Sequence, residues 1–443
     1  MTDLAEPLSL PRPRDGLPML REGLLAAFFI TLAFSVSASQ SLLALLILVA
    51  LPWAGARSPG AVAGLAGGLR ELWADTAPLR HHPLTPPFLW LTGLTILSAV
   101  LSGDPGWSLW IARDTLRIAT FYVVLRLTRD STHALRLWQG FLIVLTVMAC
   151  YGLAQAYLCA VQPSVVPSAW LTAICTHPSR VSGPFSIYMT FGGVLLVGAI
   201  FFVAYLANVP WRRAWWMVPA GALTVAALAF TYSRNAWLGL VAGVVGLAAT
   251  ARRSGLIALC LVVLGLLVAI VSPATVLDRV RSIADPQDST FRDRVAMWRA
   301  GLQMVADHPF LGVGPGQVRA WYPHYRRPEA VRPSTGHLHN SPIHLAAERG
   351  LPALGVWIWL WVVFFREAAR ILARLGPHRP RERALVSASL GGVGGFLVAG
   401  LFEHNFGDAE VVMLVYALMT LPFVVQHSPA PAPPPHRGRA SLG

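Results

Sequence analysis

Lysine is absent from this sequence, and charge of either sign is scarce. All 35 cationic side chains are arginine; with 21 acids, the charged share is 13%, about half that of an ordinary soluble domain. So little charge excludes a water-soluble globule of 443 residues, because there is too little polar surface to cover one. The four cysteines, Cys150, Cys159, Cys175 and Cys260, are too few for a disulfide scaffold. No cleavable leader is expected: Met1 to Arg21 is polar and proline-rich, so the first apolar run reads as a start-transfer helix. No internal repeat stands out.

What the chain has is apolar length. Hydrophobic residues make up 55%, the mean hydropathy is +0.56, and the apolar residues fall in long runs. A helical span needs about 20 such residues. The pattern predicts an all-α, polytopic membrane protein with twelve spans: 20–37, 38–54, 87–102, 108–127, 137–160, 186–208, 214–232, 234–250, 254–272, 344–365, 384–402 and 409–426. A net charge of +14 would raise nucleic acid as a partner in a soluble chain. Here no nucleic acid is expected, because much of the arginine sits in alternate short loops.

Those loops carry Arg57, Arg70 and Arg80; Arg126, Arg129 and Arg136; Arg212 and Arg213; Arg252 and Arg253; and a group from Arg366 to Arg383. The tail adds Arg437 and Arg439. The opposite set includes Ser102–Gly106 and Glu403–Asp408, both free of arginine. The positive-inside rule then places both termini in the cytoplasm. The expected organisation is 1–272 as spans one to nine with a short external loop at 161–185, 273–343 as an external helical segment, 344–426 as spans ten to twelve, and 427–443 as a disordered cytoplasmic tail. Cys159 and Cys175 flank the first external loop, where an oxidising compartment would permit a structural disulfide and equally allow two free thiols. Cys150 and Cys260 lie within spans and read as small packing residues.

The external segment 273–343 has nine arginines against six acids. Ser289-Thr290-Phe291-Arg292-Asp293 predicts a helix start with a Ser/Thr cap and an acid three residues after Thr290. Val295, Trp298, Leu302 and Val305 follow at helical spacing and predict the packed face, with Arg292, Arg294 and Arg299 projecting elsewhere. His308-Pro309 ends the helix, and Gly312-Val313-Gly314-Pro315-Gly316 makes a tight turn. It is not a phosphate-binding Walker loop, which needs a following lysine.

After Arg319, Arg326, Arg327 and Arg332 comes Gly336-His337-Leu338-His339-Asn340, with His344, Glu348 and Gly350 in the first turns of span ten. Three readings compete here. The histidines could solvate a helix start. They could bind a metal with Glu348, although no Cys or Asp joins them and the spacing is not His-Glu-x-x-His. Or one of them could act as a general base near neutral pH. Arginine supports the third reading. Arg234, at the external end of span eight, would be costly facing lipid and so by default faces a cavity. Arg180 sits just outside span six. Arginine's planar fork suits oxyanions such as a lipid phosphate or pyrophosphate.

At these residues the sequence resembles the O-antigen ligase and O-antigen polymerase superfamily of bacterial envelope enzymes. The resemblance runs from about Arg180 to Glu410. It is carried by Arg180-Val-Ser-Gly-Pro-Phe, by Ser233-Arg234-Asn-Ala-Trp-Leu-Gly-Leu, and by Arg294-x-x-x-Trp298 leading to His308-Pro-Phe-Leu-Gly-Val-Gly-Pro-Gly316. Above all it is carried by His339-Asn340 followed, after nine residues, by Gly350; Ala353 stands where a further glycine is expected.

The resemblance implies a glycosyltransferase of the inner membrane with its site facing the periplasm. The donor would be a glycan on undecaprenyl pyrophosphate, and the acceptor, for a ligase, a hydroxyl of lipid A–core. Carried over by motif, Arg234 and Arg294 would hold the pyrophosphate, with Arg180 and Arg292 in support. His339 would be the base and His337 the fallback, Asn340 and Glu348 would be supporting residues, and no metal, nucleotide or other cofactor would be needed. No carboxylate presents itself as a covalent nucleophile, which favours single displacement with inversion. A polymerase or a protein O-oligosaccharyltransferase would share the donor. A lipid-linked glycan transporter would instead keep its polar residues near the midplane, whereas spans such as 186–208 are free of charge.

Overall fold

The computed structural model describes residues 18–50, 77–161, 174–175, 180–250, 253, 255, 289–376 and 378–429. The ninth expected span (254–272), Cys260 and most of the proline-rich tail lie outside them. Among the described residues the chain is all-α, with no strand. The principal helices are α1 (Pro18–Thr31), α2 (Val36–Ala50), α3 (Thr85–Val100), α4 (Pro105–Ala112), α5 (Ala119–Leu127), α6 (Ser131–Val161), α7 (Tyr188–Asn208) and α8 (Met217–Phe230). They continue with α9 (Arg234–Ala248), α10 (Ser289–Asp307), α11 (Val318–Tyr325), α12 (Ser341–Arg374), α13 (Pro380–Gly400), α14 (Ala409–Met419) and α15 (Leu421–His427).

Among the described residues five helical stretches are long and apolar enough to cross a membrane: Ser131–Cys159, Tyr188–Asn208, Ser341–Arg374, Pro380–Gly400 and Ala409–His427. Four shorter apolar helices accompany them. Large apolar side chains point outward from the bundle, with Leu89 66% exposed and Ile143 58%. That inside-out surface suits lipid and would be untenable in water. The chain is a multi-pass membrane protein.

α7 is the axis of the bundle, with nearly every side chain buried. α9 and α13 pack backbone to backbone through glycines: a Cβ on Gly239 would come within 2.5 Å of the Gly395 carbonyl oxygen, and one on Gly243 within 2.7 Å of that of Gly391. Small residues permit this approach in lipid, where dispersion contacts rather than water exclusion hold helices together. Cys159 and Cys175 form a disulfide, which settles the open reading of that pair. Cys150 is exposed on α6 rather than packed inside.

The two ends of the bundle differ in chemistry. At one end Arg129 pairs with Glu22, Ser131 N–H donates to Ser428 Oγ at 2.7 Å, and Arg383 Nε donates to the Thr250 carbonyl at 3.3 Å. These contacts gather the loops whose arginines set the expected orientation. The polar residues discussed below lie at the other end.

Three expected elements are corrected. The span 108–127 is not one helix: α4 gives way to a 3-10 segment, Arg113–Ile118, before α5 begins. Within that segment Arg117 pairs with Asp114 at 2.8 Å, which shields both charges inside the apolar run. On α10 the fully buried stripe is Met297, Ala300, Gly301 and Met304; of the expected face Val305 packs against it and Val295 and Trp298 are half-buried, whereas Leu302 is 56% exposed. A Cβ on Gly301 would meet Leu338 Cδ1 at 2.5 Å, so the smallest residues define the face that approaches α12. The Asp293 carboxylate accepts from the N–H groups of Val331 (3.0 Å) and Arg332 (3.1 Å) and ties the loop after α11 to α10.

The third correction sets up the site. α12 breaks at Gly350, whose φ of 81° and ψ of 172° no helix contains. The turn Gly312–Gly316 plugs the break, and all three of its glycines have positive φ. Val313 N–H donates to the Ala347 carbonyl (2.8 Å), Gly314 N–H to that of Glu348 (2.9 Å), and Leu351 N–H to that of Pro309 (2.7 Å). Backbone groups released by the break are thus satisfied by protein, the condition for an interrupted helix in a membrane. Ser98 on α3 lies within reach of the same carbonyls, 2.6 Å from Leu311 O and 2.9 Å from Glu348 O.

Candidate active site

Asn340 caps α12: its side chain accepts from Ile343 N–H at 2.9 Å and donates to the Leu401 carbonyl at 2.8 Å. Ser341 Oγ lies 3.1 Å from both the Glu403 carbonyl and Asn405 Oδ1. The loop between α13 and α14 is thereby fastened to the start of α12. This attachment carries Glu403, which nothing in its own neighbourhood of the sequence marks as functional, to the histidines.

His339 Nδ1 lies 2.9 Å from both oxygens of Glu403. His337 Nε2 is 3.5 Å from the same carboxylate, and an Arg294 guanidinium nitrogen is 3.7 Å from it. Burial would raise the Glu403 carboxyl, but the hydrogen bond from His339 and the nearby Arg294 guanidinium outweigh it and hold it below the usual range. An ionised carboxylate fixes the tautomer of its partner: His339 carries its proton on Nδ1 and presents Nε2 as a lone-pair acceptor. His337 is held down to about 4 by burial and by its histidine neighbours, so it is neutral at pH 7.

His339 has φ 48° and Tyr232 has φ 49°. A non-glycine residue held there costs about 1–2 kcal/mol, and such strain concentrates at functional sites. Tyr232 stands two residues before Arg234, which opens α9 behind the N-cap Ser233. Arg234 and Arg294 line one narrow crevice of about 60 Å³ with Asn235, Trp298 and Phe402. The structure therefore brings together Arg234, Arg294, His337, His339 and Asn340. It leaves two expected residues aside. Arg180 lies over the Tyr188 ring, 4.4 Å from its centroid, and does not line the crevice. Arg292 is exposed on another face of α10.

His337, His339 and Glu403 could also hold a metal ion, since one donor atom from each lies within 4.8 Å of the others. That set differs from the one weighed from sequence, with Glu403 in place of His344 and Glu348. The Arg294 guanidinium already faces the carboxylate, and the His339 nitrogen nearest Glu403 is occupied as a donor to it. Both features make the carboxylate an organiser of the histidine rather than an open ligand.

Sequence reasoning missed Glu403, His404, Arg117, Arg319 and Asp408. His404 packs against His344 with the rings tilted by 50° and centroids 3.8 Å apart, and burial holds it well below the ordinary histidine range. Burial, with Glu403 and Glu410 nearby, pushes Asp408 up to about 7.

Fold and site together define an all-helical membrane protein with a carboxylate-oriented histidine beside a pair of arginines at one end of the bundle. Residues 219–358 match the family model for O-antigen ligase, and over that stretch the chain is similar to the O-antigen ligase family. The match runs from α8 into α12, taking in Arg234, Arg294, His337, His339 and Glu348 and stopping short of Glu403. No curated protein matches the chain.

Proposed function

We propose that the protein transfers a glycan from undecaprenyl pyrophosphate to a hydroxyl of lipid A–core, in the inner membrane and with its site facing the periplasm. The reading rests above all on Glu403, which touches both the expected base and one of the expected anion-binding arginines. His339 Nε2 takes the proton of the acceptor hydroxyl as its oxygen attacks the anomeric carbon. The bond from that carbon to the pyrophosphate oxygen breaks, with inversion, and the lipid pyrophosphate leaves. Arg234 and Arg294, at the mouth of their crevice, take the charge that develops on it. Glu403 stabilises the imidazolium that forms. The leaving group is already activated, so no nucleotide is needed, and arginine serves where a metal otherwise would.

The test is a transfer assay with purified protein, an undecaprenyl-pyrophosphate glycan and lipid A–core, with EDTA and no nucleotide. Joined product is expected, and His339→Ala should lower its rate by about 10²- to 10⁴-fold, the usual worth of a general base. Elongation of the donor glycan on its own lipid would make the protein a polymerase. A reaction that needs a divalent metal restored would move the site to the metal chemistry of His337, His339 and Glu403.

A further inference from the structure

At the end of the bundle away from the histidines, a cavity of about 300 Å³ opens between α1 and the start of α6. Glu22, Ala26 and Ile30, spaced four apart on α1, form one wall. His133, Arg136, Leu137 and Gly140 form the wall from α6, and Arg129 and Asp130 close the end that precedes it.

Both helices start at this end, so both walls change character in the same direction. Glu22, His133 and Arg136 come first; Ala26, Leu137, Gly140 and Ile30 follow. From Glu22 to Ile30 the rise is about 12 Å, the distance from a headgroup well into hydrocarbon. The apolar part stays open: a Cβ on Gly140 would meet nothing within 4 Å, and Ile30 is 39% exposed. A groove of this kind takes a molecule with a polar head and an apolar chain.

The polar groups narrow the head. Arg129 is committed to Glu22. Asp130 Oδ1 accepts from His133 N–H at 2.8 Å and caps α6. Arg129 N–H in turn donates to His133 Nδ1 at 3.2 Å, which puts the ring proton on Nε2 and makes that atom a donor. Arg136 is exposed and, among the described residues, makes no ion pair. Arg136 and His133 thus supply donors for an oxyanion, and arginine's fork suits a phosphate. Glu22 and Asp130 balance the two arginines, so a multiply charged anion would meet repulsion. A phosphodiester with an ammonium beside it carries no net charge and matches both signs. An arginine that only reaches for passing headgroups needs neither a second helix nor a groove.

We infer that this cavity binds one zwitterionic glycerophospholipid with a primary amine. Its phosphodiester lies against Arg136 and His133 Nε2, its ammonium against Glu22 and Asp130, and an acyl chain between Ala26 and Gly140. The site is remote from Glu403 and does not rest on the transferase reading.

The test is native mass spectrometry of the delipidated full chain in detergent, titrated with dioleoyl-phosphatidylethanolamine. One saturable molecule is expected. Dioleoyl-phosphatidylglycerol, which lacks the amine, and dioleoylglycerol, which lacks the phosphate, should each bind about tenfold more weakly or worse. Glycerophosphoethanolamine, which lacks the chains, should do the same. Arg136→Ala should weaken phosphatidylethanolamine by about tenfold. Gly140→Phe, which fills the open groove, should weaken it as much, whereas Arg212→Ala, exposed in another loop, should change nothing. Equal binding of phosphatidylglycerol would overturn the proposal, as would an equal loss in Arg212→Ala. Glycerophosphoethanolamine binding as tightly as the whole lipid would make the cavity a site for a soluble phosphodiester and overturn it too. The lipid series on the wild-type chain decides between these outcomes even where a variant folds poorly.

Discussion

Replacing Glu403 by glutamine tests the proposed mechanism at its least visible residue. The change keeps size and shape and removes one charge. In the transition state His339 gains positive charge with the carboxylate 2.9 Å from Nδ1. Two unit charges about 4 Å apart attract by about 4 kcal/mol at an effective dielectric near 20. With about half a charge transferred, the loss is about 2 kcal/mol, or roughly 30-fold in rate. A second loss follows from the tautomer. The glutamine amide can donate to Nδ1, which moves the ring proton to Nε2 and removes the atom that must accept. That loss alone reaches the base's whole contribution of about 10²- to 10⁴-fold. We expect kcat to fall by about 10³-fold with the donor KM little changed, because Arg294, released from its acid, remains available to pyrophosphate. The assay is initial-rate transfer at saturating donor and acceptor, with detergent-solubilised yield and Tm measured alongside to separate misfolding from chemistry. A Glu403→Gln protein of normal yield whose kcat stays within about threefold of wild type would refute the argument, because His339 would then need no carboxylate to serve as base.

Other outcomes follow from the same geometry. Arg234→Lys should lose most transfer activity at steady state, since a point charge cannot replace a two-pronged contact with an oxyanion; full activity would reduce Arg234 to an anchor of α9. Gly350→Ala should lower the Tm and the yield, because the added Cβ meets the Phe310 carbonyl oxygen at a φ of 81°; the strain and the clash together should cost more than about 2 kcal/mol. Cys159→Ser should cost about 3 kcal/mol, read as a drop in Tm under oxidising conditions, since the disulfide joins residues 16 apart in sequence. Asp408 binds its proton up to about pH 7 in the folded chain and near 3.8 when unfolded, so its contribution to stability falls as pH rises between those values. Asp408→Asn should therefore raise the Tm at pH 8 and change it little near pH 4.

The long apolar runs were legible as helices because hydropathy and length are local quantities. His339, Arg234 and Arg294 were legible through motifs that happen to lie along single stretches. The break in α12 was not read, since the run on both sides of Gly350 is helical in pattern. The one local sign was the pair of breakers Gly350 and Pro352, two residues apart. Glu403 was beyond local reasoning altogether, because its partner His339 lies 64 residues away.

Arg113, Asp114 and Arg117 were counted inside a span, and Glu403 and Asp408 inside an arginine-free loop, where they served only to fix orientation. A charge at membrane depth costs at least about 2.5 kcal/mol unless it is paired or faces a cavity. Each such residue therefore demands a partner of opposite sign at the same end of the bundle. The acids available there are Asp114, Glu348, Glu403 and Asp408, and the cations include Arg117, Arg294, Arg349 and the histidines. That requirement accounts for Asp114 with Arg117, Glu348 with Arg349 and His344, and Glu403 with Arg294 and His339; Asp408 is met instead by the Thr190 hydroxyl and keeps its proton up to about pH 7. In a chain with so few charges, the ionisable residues that interrupt apolar runs outline the site by themselves, and the orientation rule that explains arginine in the loops is what isolates them.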